Sequence, residues 1–306
     1  MPSTLKTLVD RKLTKGMTFS WMPENICFET IMGSVAYGVS NDTSDMDVYG
    51  FCIPPKPFLF PHLAGEIEGF GQKAPRFEQY QEHHIMDNDA LGGKGRSYDV
   101  TIYSISKYFK LVMENNPNMI DSLFTPENCV LHITPIGSMV RERRREFLHK
   151  GCWHKFKGYA FEQMHKMDTK NPEEGSKRAA LREQFGFDVK FAYHVVRLIN
   201  EVEQILATGD LNLQLNNDQL KAIRRGEMNV QQIRDWFNNK LKDLESLYHS
   251  STLPYAPNEA KIKRLLLECL EMHYGSLEKA VVLPDAANQT LAEIKAILDR
   301  HTKNQK

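Results

Sequence analysis

Two aspartates one residue apart, Asp45 and Asp47, follow the dipeptide Gly33-Ser34 after ten intervening residues. In a strand, alternate side chains share a face, so both carboxylates would project from the same side. Two carboxylates held that close repel each other unless a cation lies between them, and paired hard oxygen donors suit Mg²⁺. A Gly-Ser turn lets backbone N–H groups approach an anion closely, and a short helix starting at Val35 would aim its positive end at the same point. The chemistry implied is the holding of a metal-bound polyphosphate.

Such a site needs strands to deliver it. The apolar run with Ile26, Phe28 and Ile31 predicts a strand over 25–32 that ends at the turn. One helical turn is expected over 35–38, a polar loop over 41–44, and a second strand over 45–53, stopped by Pro54, Pro55 and Pro57 because proline donates nothing to a ladder. A further strand is expected over 77–85, and 87–96, with Gly92, Gly93 and Gly95, reads as an exposed, mobile loop. The β-branched and aromatic run SYDVTIYSI predicts a central strand over 98–103, whose Asp99 is a third acidic candidate. Asp87 and Asp89 compete for that role from loop positions. Helices are expected over 104–114 and from Pro117, and a short extended segment over 129–133.

Gly33-Ser34, the ten-residue gap and Asp45-x-Asp47 resemble the signature of the nucleotidyltransferase superfamily that includes DNA polymerase beta. The longer string GSVAYGVSNDTSDMD is similar to the members associated with RNA repair, as are DVTIYSISKYFKL and NNPNMIDSLF. The resemblance implies an α+β fold: a nucleotidyltransferase-type mixed β-sheet with flanking helices, followed by an α-helical C-terminal domain. It implies that Asp45, Asp47 and Asp99 hold two Mg²⁺ ions, with Mn²⁺ a substitute, and that Gly33 and Ser34 position the β- and γ-phosphates of an NTP. The acceptor it implies is an RNA 3′ end or a tRNA, in repair or tailing. AMP transfer to a protein or small molecule is a second expectation, and a non-catalytic nucleotide-binding regulator a third. Asp121 falls where the family carries an acidic residue, and we assign it to a structural hydrogen bond.

Beyond residue 135 helical periodicity dominates, over 136–149, 152–167, 177–208, 218–225, 230–249, 258–274 and 290–301. The expected division is therefore a catalytic domain over 1–135 and a helical substrate-binding domain over 136–306. In the stretch FDVKFAYHVVRLINEVEQIL, Phe191, Val195, Leu198, Val202 and Ile205 form one apolar stripe. Lys190, His194 and Arg197 each stand one position earlier, about 100° round the helix, as a cationic ridge at its edge. Spacing alone gives a solvated charged face. The string D-x-K-x-A-x-H-x-x-R-L also resembles the family, which implies that Lys190, His194 and Arg197 meet nucleotide phosphates from the second domain.

Lys+Arg and Asp+Glu both number 39, so no overall basic excess marks a nucleic-acid partner. Arg141, Arg143, Arg144, Arg145, Lys150, Lys155 and Lys157 mix with Trp153, Phe156 and Tyr159, a pattern that serves either single-stranded RNA or a helix with buried aromatics, the latter being preferred. The histidines at 83, 84, 149, 154 and 165 show no metal-ligand spacing and read as surface or core residues. Five scattered cysteines without a C-x-x-C pair argue against disulfide and zinc frameworks and fit a reducing cytoplasm. The N-terminus lacks the apolar core of a signal peptide, and no run approaches the ~20 apolar residues of a membrane span.

Overall fold

The computed structural model describes residues 2–40, 45–66, 70, 73, 76–277 and 294. The expected loop over 41–44 and most of the expected terminal helix over 290–301 lie outside them.

Helix α1 (Thr4–Asp10) is capped by Ser3, whose side chain accepts from Lys6 N–H. It is fixed to the sheet by Glu29, which lies on β1 (Ile26–Ile31) and accepts from Thr4 N–H at 2.5 Å and Leu5 N–H at 3.1 Å. β1 leads through a hydrogen-bonded turn, in which Val39 N–H donates to Ser34 O, towards β2 (Met46–Cys52). Next come α2 (Lys56–Leu59), β3 (Gln79–Asp87), the helical turn α3 (Ala90–Gly93) and β4 (Arg96–Ser104).

The sheet is mixed, in the order β3-β4-β2-β1-β5, with β5 at Val130–Ile133. β2 and β4 run parallel, while β1–β2, β1–β5 and β3–β4 are antiparallel. The fold is thus α+β, as the sequence predicts. One expectation changes. The strand expected over 77–85 runs on to Asp87, and the glycine-rich segment expected as a loop over 87–96 is the connection of a hairpin that β3 forms with β4. A bulge between Glu82 and Ile85, with His84 in the left-handed region (φ 56), interrupts the alternation inside this strand. Asp87 and Asp89 are both paired with Arg11 and take no part in the carboxylate cluster.

Helices α4 (Ile105–Met113) and α5 (Pro117–Phe124) are capped by Ser104 and Asn116. They bury Ile105, Tyr108, Phe109, Ile120 and Leu123, and the Tyr108 ring meets Phe51 of β2 at 4.9 Å. Full burial of each such side chain stabilises by about 1.5–3 kcal/mol. Then follow α6 (Pro135–Glu142), α7 (Cys152–Thr169), α8 (Lys177–Phe185), α9 (Val189–Thr208), α10 (Asn217–Arg224), α11 (Val230–Ser250) and α12 (Glu259–Tyr274). The single helix expected over 177–208 is two, parted where Gly186 (φ 79) ends α8 and Asp188 caps α9. All five stripe residues of α9 are buried.

The chain falls into two compact units, residues 1–53 with 78–267, and residues 54–77 with 268–306. The boundary expected at 135/136 is therefore not a division between units. Helices α6 to α11 share a unit with the sheet, and within it Arg197 of α9 reaches Tyr37 and Asp121. In the smaller unit the Tyr274 hydroxyl donates to Pro54 O, and its ring lies 6.1 Å from that of Phe60.

The arginine-rich segment is consumed internally. Arg141 is buried and donates to Thr125, Arg143 pairs with Glu146, Arg145 pairs with Asp210, and Lys150 lies over the Tyr255 ring. Trp153 and Phe156 are buried, in line with the preferred reading. Among the described residues no helix is long and apolar enough to cross a membrane, and the five cysteines are buried thiols outside any disulfide.

Candidate active site

The parallel ladder between β2 and β4 sets Asp47 directly opposite Asp99. Strand alternation then carries Tyr49 and Thr101 on the same face, one step further from the ends of the strands. Asp45 lies just before β2 and is exposed, whereas Asp47 and Asp99 are half-buried. Burial raises the carboxyl pKa of Asp47, and the charges of Asp99 and Asp45 push it in the same direction. The Tyr49 hydroxyl is pushed up to about 12, first by burial and then by Tyr103, Asp47 and Asp99.

Gly33 closes the other side of this carboxylate pair. Its φ is 68, and a Cβ there would run into Asp47 Oδ2. Only glycine combines that backbone with so close an approach. The turn after it is tied down from three directions. Tyr37 donates its hydroxyl to Asp121 Oδ2 at 2.7 Å, Gln214 Nε2 donates to Ala36 O at 3.2 Å, and Arg224 donates to Val39 O.

Gly33, Ser34, Asp45, Asp47 and Asp99 line a cavity of about 980 Å³. It is also lined by the cations Arg178 from α8, Lys190 from α9, Lys221 and Arg224 from α10 and Arg225 just after it, with the His194 imidazole of α9 among them. His194 is half-buried, and its imidazole pKa is driven well below the ordinary value by burial and by Arg197, Lys190, Arg178 and Arg224. The cavity therefore sets an acidic floor against a basic wall, an arrangement suited to a polyanion bound through divalent ions.

The expected ridge is divided by the structure. Lys190 and His194 reach the cavity, but Arg197 does not. Arg197 is 4% exposed, and its Nη1 donates to Tyr37 Oη at 2.9 Å, to Glu201 at 3.1 Å and to Asp121. Burial alone would lower the Arg197 pKa, but Glu201, Tyr37 and Asp121 more than offset this and keep it charged. The expectation that it meets phosphate is corrected: it is a buried clamp joining α9, α5 and the turn after Ser34. Asp121 has the structural role expected of it.

Arg178, Lys221, Arg224 and Arg225 were missed. Lys221, Arg224 and Arg225 at intervals of three and one form a cationic face of a short helix, a signal visible in sequence but without a direction until α10 is docked. His83 and His84 were also passed over. The bulge in β3 sets His83 Nδ1 3.2 Å from Asp99 Oδ2, and His84 N–H donates to Asp99 Oδ1 at 2.8 Å.

The fit to metal rests on the opposed carboxylates and on the close approach of Gly33 to Asp47 Oδ2. As the side chains stand, no three His, Cys, Asp or Glu groups among the described residues are gathered round a single point. Asp99 is turned instead onto its histidine partners. The donor set is nonetheless chemically that of a hard-cation site.

Sheet, turn and carboxylate pair are together those of a nucleotidyltransferase of the DNA polymerase beta superfamily. The profile of the RNA repair pathway DNA polymerase beta family, RlaP, matches residues 6–279, and the chain belongs to this family. A solved structure of a nucleotidyltransferase-like protein from Exiguobacterium sibiricum 255-15 aligns over 80% of this chain and 73% of its own, at 9% identity and a TM-score of 0.28. No curated protein matches the sequence.

Proposed function

We propose that this protein is a metal-dependent nucleotidyltransferase that moves an NMP from an NTP to the 3′ hydroxyl of an RNA. The observation that carries the reading is the facing pair Asp47–Asp99, below Gly33 and opposite the cationic wall. Asp45, Asp47 and Asp99 would hold two Mg²⁺ ions, with Mn²⁺ able to substitute. Bound there, such ions activate the acceptor hydroxyl and neutralise charge on the leaving pyrophosphate.

The chain's own part is positioning and electrostatics. Backbone N–H groups of the turn at Gly33 and Ser34 face the β- and γ-phosphates, and Lys190, Lys221 and Arg224 take up their remaining charge. Asp99, on β4 between β2 and β3, is the carboxylate assigned to the incoming acceptor. The acceptor oxygen forms a bond to the α-phosphorus as the α–β bridging P–O bond breaks. The hydroxyl proton leaves to water and pyrophosphate departs. RNA as acceptor is supported by the description of the family, and a reducing cytoplasm by five buried cysteines that form no disulfide with one another.

The test incubates the protein with Mg²⁺, each labelled NTP and a panel of RNA, tRNA, DNA and protein acceptors. Label on RNA with the wild type and none with Asp45→Asn/Asp47→Asn supports the reading. Label on protein alone replaces RNA by side-chain nucleotidylation, and no label on any acceptor overturns transfer.

A further inference from the structure

The transfer reaction gives Arg178 of α8 no task, although its side chain lines the cavity. Its guanidinium is fixed on two sides. Nε donates to Asp188 Oδ2 at 2.6 Å, and Cζ lies 4.2 Å from the centre of the Phe191 ring. Asp188 is itself buried and held in place, because its other oxygen caps α9 by accepting from the N–H groups of Lys190 and Phe191. The entropy lost in ordering this long side chain is therefore spent in folding, before any ligand arrives.

What the fixed group can do follows from which atoms remain open. An arginine grips phosphate best through two parallel N–H donors. Here Nε is occupied by Asp188, and Nη2 is buried with no hydrogen-bond partner among the described residues, which leaves Nη1 alone for a ligand. The Asp188 carboxylate also balances the charge, so Arg178 attracts an anion less strongly than an unpaired cation would. The flat face of the guanidinium is another matter. One side is covered by Phe191, yet 31% of the side chain is exposed, and what remains open lies on the cavity. Such planes stack on aromatic groups.

The neighbouring apolar surface fits the same kind of ligand. Leu181 stands three residues further along α8, on the same face as Arg178, and lines the cavity as well. The lining valines Val39 and Val189 are buried, but Leu181 is 39% exposed. A flat group laid across Leu181 and the guanidinium would remove that apolar surface from water. Of the parts of an NTP, only the base has this shape.

We propose that Arg178 and Leu181 form the nucleobase subsite, with the base of the bound NTP stacked on the open face of the guanidinium. The inference deepens the reading of the cavity as an NTP site and rests on it. Stacking on a π-face tolerates any base, so all four NTPs are accepted, and purines, with the larger face, bind more tightly than pyrimidines. Arg178 thereby distinguishes nucleotides from other polyphosphates.

The test uses the full chain with Mg²⁺, isothermal titration calorimetry and two probes. One is α,β-methylene ATP, whose carbon bridge blocks transfer, and the other is inorganic tripolyphosphate, which has no base. Arg178→Ala would leave Asp188 buried without its cation, so Arg178→Lys is used, which keeps the charge and removes the plane. It should weaken binding of the nucleotide analogue about tenfold and leave tripolyphosphate binding unchanged. Leu181→Ala, at an exposed position, should weaken the analogue alone and by a smaller factor. Lys190→Ala should weaken both probes. If Arg178→Lys weakens the two probes equally, Arg178 is a phosphate contact and the stacking role is wrong. If Arg178→Lys and Leu181→Ala bind both probes as the wild type does, the base lies elsewhere and the NTP reading stands alone. If the wild type binds neither probe, the NTP reading falls and the subsite with it.

Discussion

Gly33 and Asp47 touch across the mouth of the sheet so closely that the smallest side chain at position 33 would strike Asp47 Oδ2. The contact couples the phosphate-facing turn to the metal-facing carboxylate, so that neither moves independently. Gly33→Ala adds a methyl group at this contact and a Cβ at φ 68, where L-residues are strained by about 1–2 kcal/mol. Nucleotidyl transfer should be lost while the far-UV circular dichroism spectrum is kept. Unchanged turnover would show that the turn and Asp47 act separately.

Asp47→Asn and Asp99→Asn should both lower the rate, and Asp47→Asn should at the same time raise stability. Loss of metal-borne charge stabilisation is worth several kcal/mol, so transfer should fall about 10³-fold or more in each. Asp47 is a carboxylate whose ionisation is opposed by burial and by Asp99. Removing its charge should therefore raise the melting temperature of the metal-free protein at neutral pH. Differential scanning calorimetry in a chelator measures this, and a lower melting temperature would contradict the repulsion.

Arg197 is the clamp rather than a phosphate ligand. Arg197→Met leaves Asp121 and Glu201 buried without their cation, a change that costs about 3–5 kcal/mol in comparable settings. Urea unfolding should show that loss, and NTP KM in the surviving folded protein should change little. A selective rise in KM at unchanged stability would restore the phosphate role.

Lys190 and Lys221 line the basic wall, Lys190 exposed and Lys221 half-buried. Lys190→Ala and Lys221→Ala each remove one charge-assisted contact, worth about 1.5–3 kcal/mol, so NTP KM should rise about tenfold or more with kcat little changed. The effect should shrink at high salt, and steady-state kinetics at two ionic strengths tests it.

His194 sets an acid limit on stability. Its folded pKa is depressed well below the ordinary 6.5 by burial and by the cations around it. Below about pH 6.5 the unfolded chain takes up a proton at this position that the folded chain refuses. Stability should therefore fall as pH drops below that value and return as pH is raised above it. Urea midpoints from pH 7.5 to 5 measure the slope, and His194→Gln should flatten it.

Position 33, the carboxylates at 45, 47 and 99, and most helix boundaries were legible because their causes are local. Strand alternation, a glycine turn, and the caps at Ser104 and Asn116 act within a few residues of where they are written. The direction of Arg197 was not legible. The apolar stripe of α9 is readable, but the helix is also buried at Val196, Ile199, Asn200 and Glu201, well outside that stripe. Whether an arginine beside the stripe meets solvent or two carboxylates depends on where α5 lies.

The sequence by itself determined the acidic set and the glycine-serine turn, since chain neighbours and the two-residue period of a strand suffice to aim them. Only the tertiary structure decided which cations face them. Strand pairing brought Asp99 beside Asp47, a bulge turned His83 onto Asp99, and the docking of α8, α9 and α10 chose Arg178, Lys190 and Lys221 over Arg197. These outcomes depend on packing between residues far apart in the chain, where no local period carries the information.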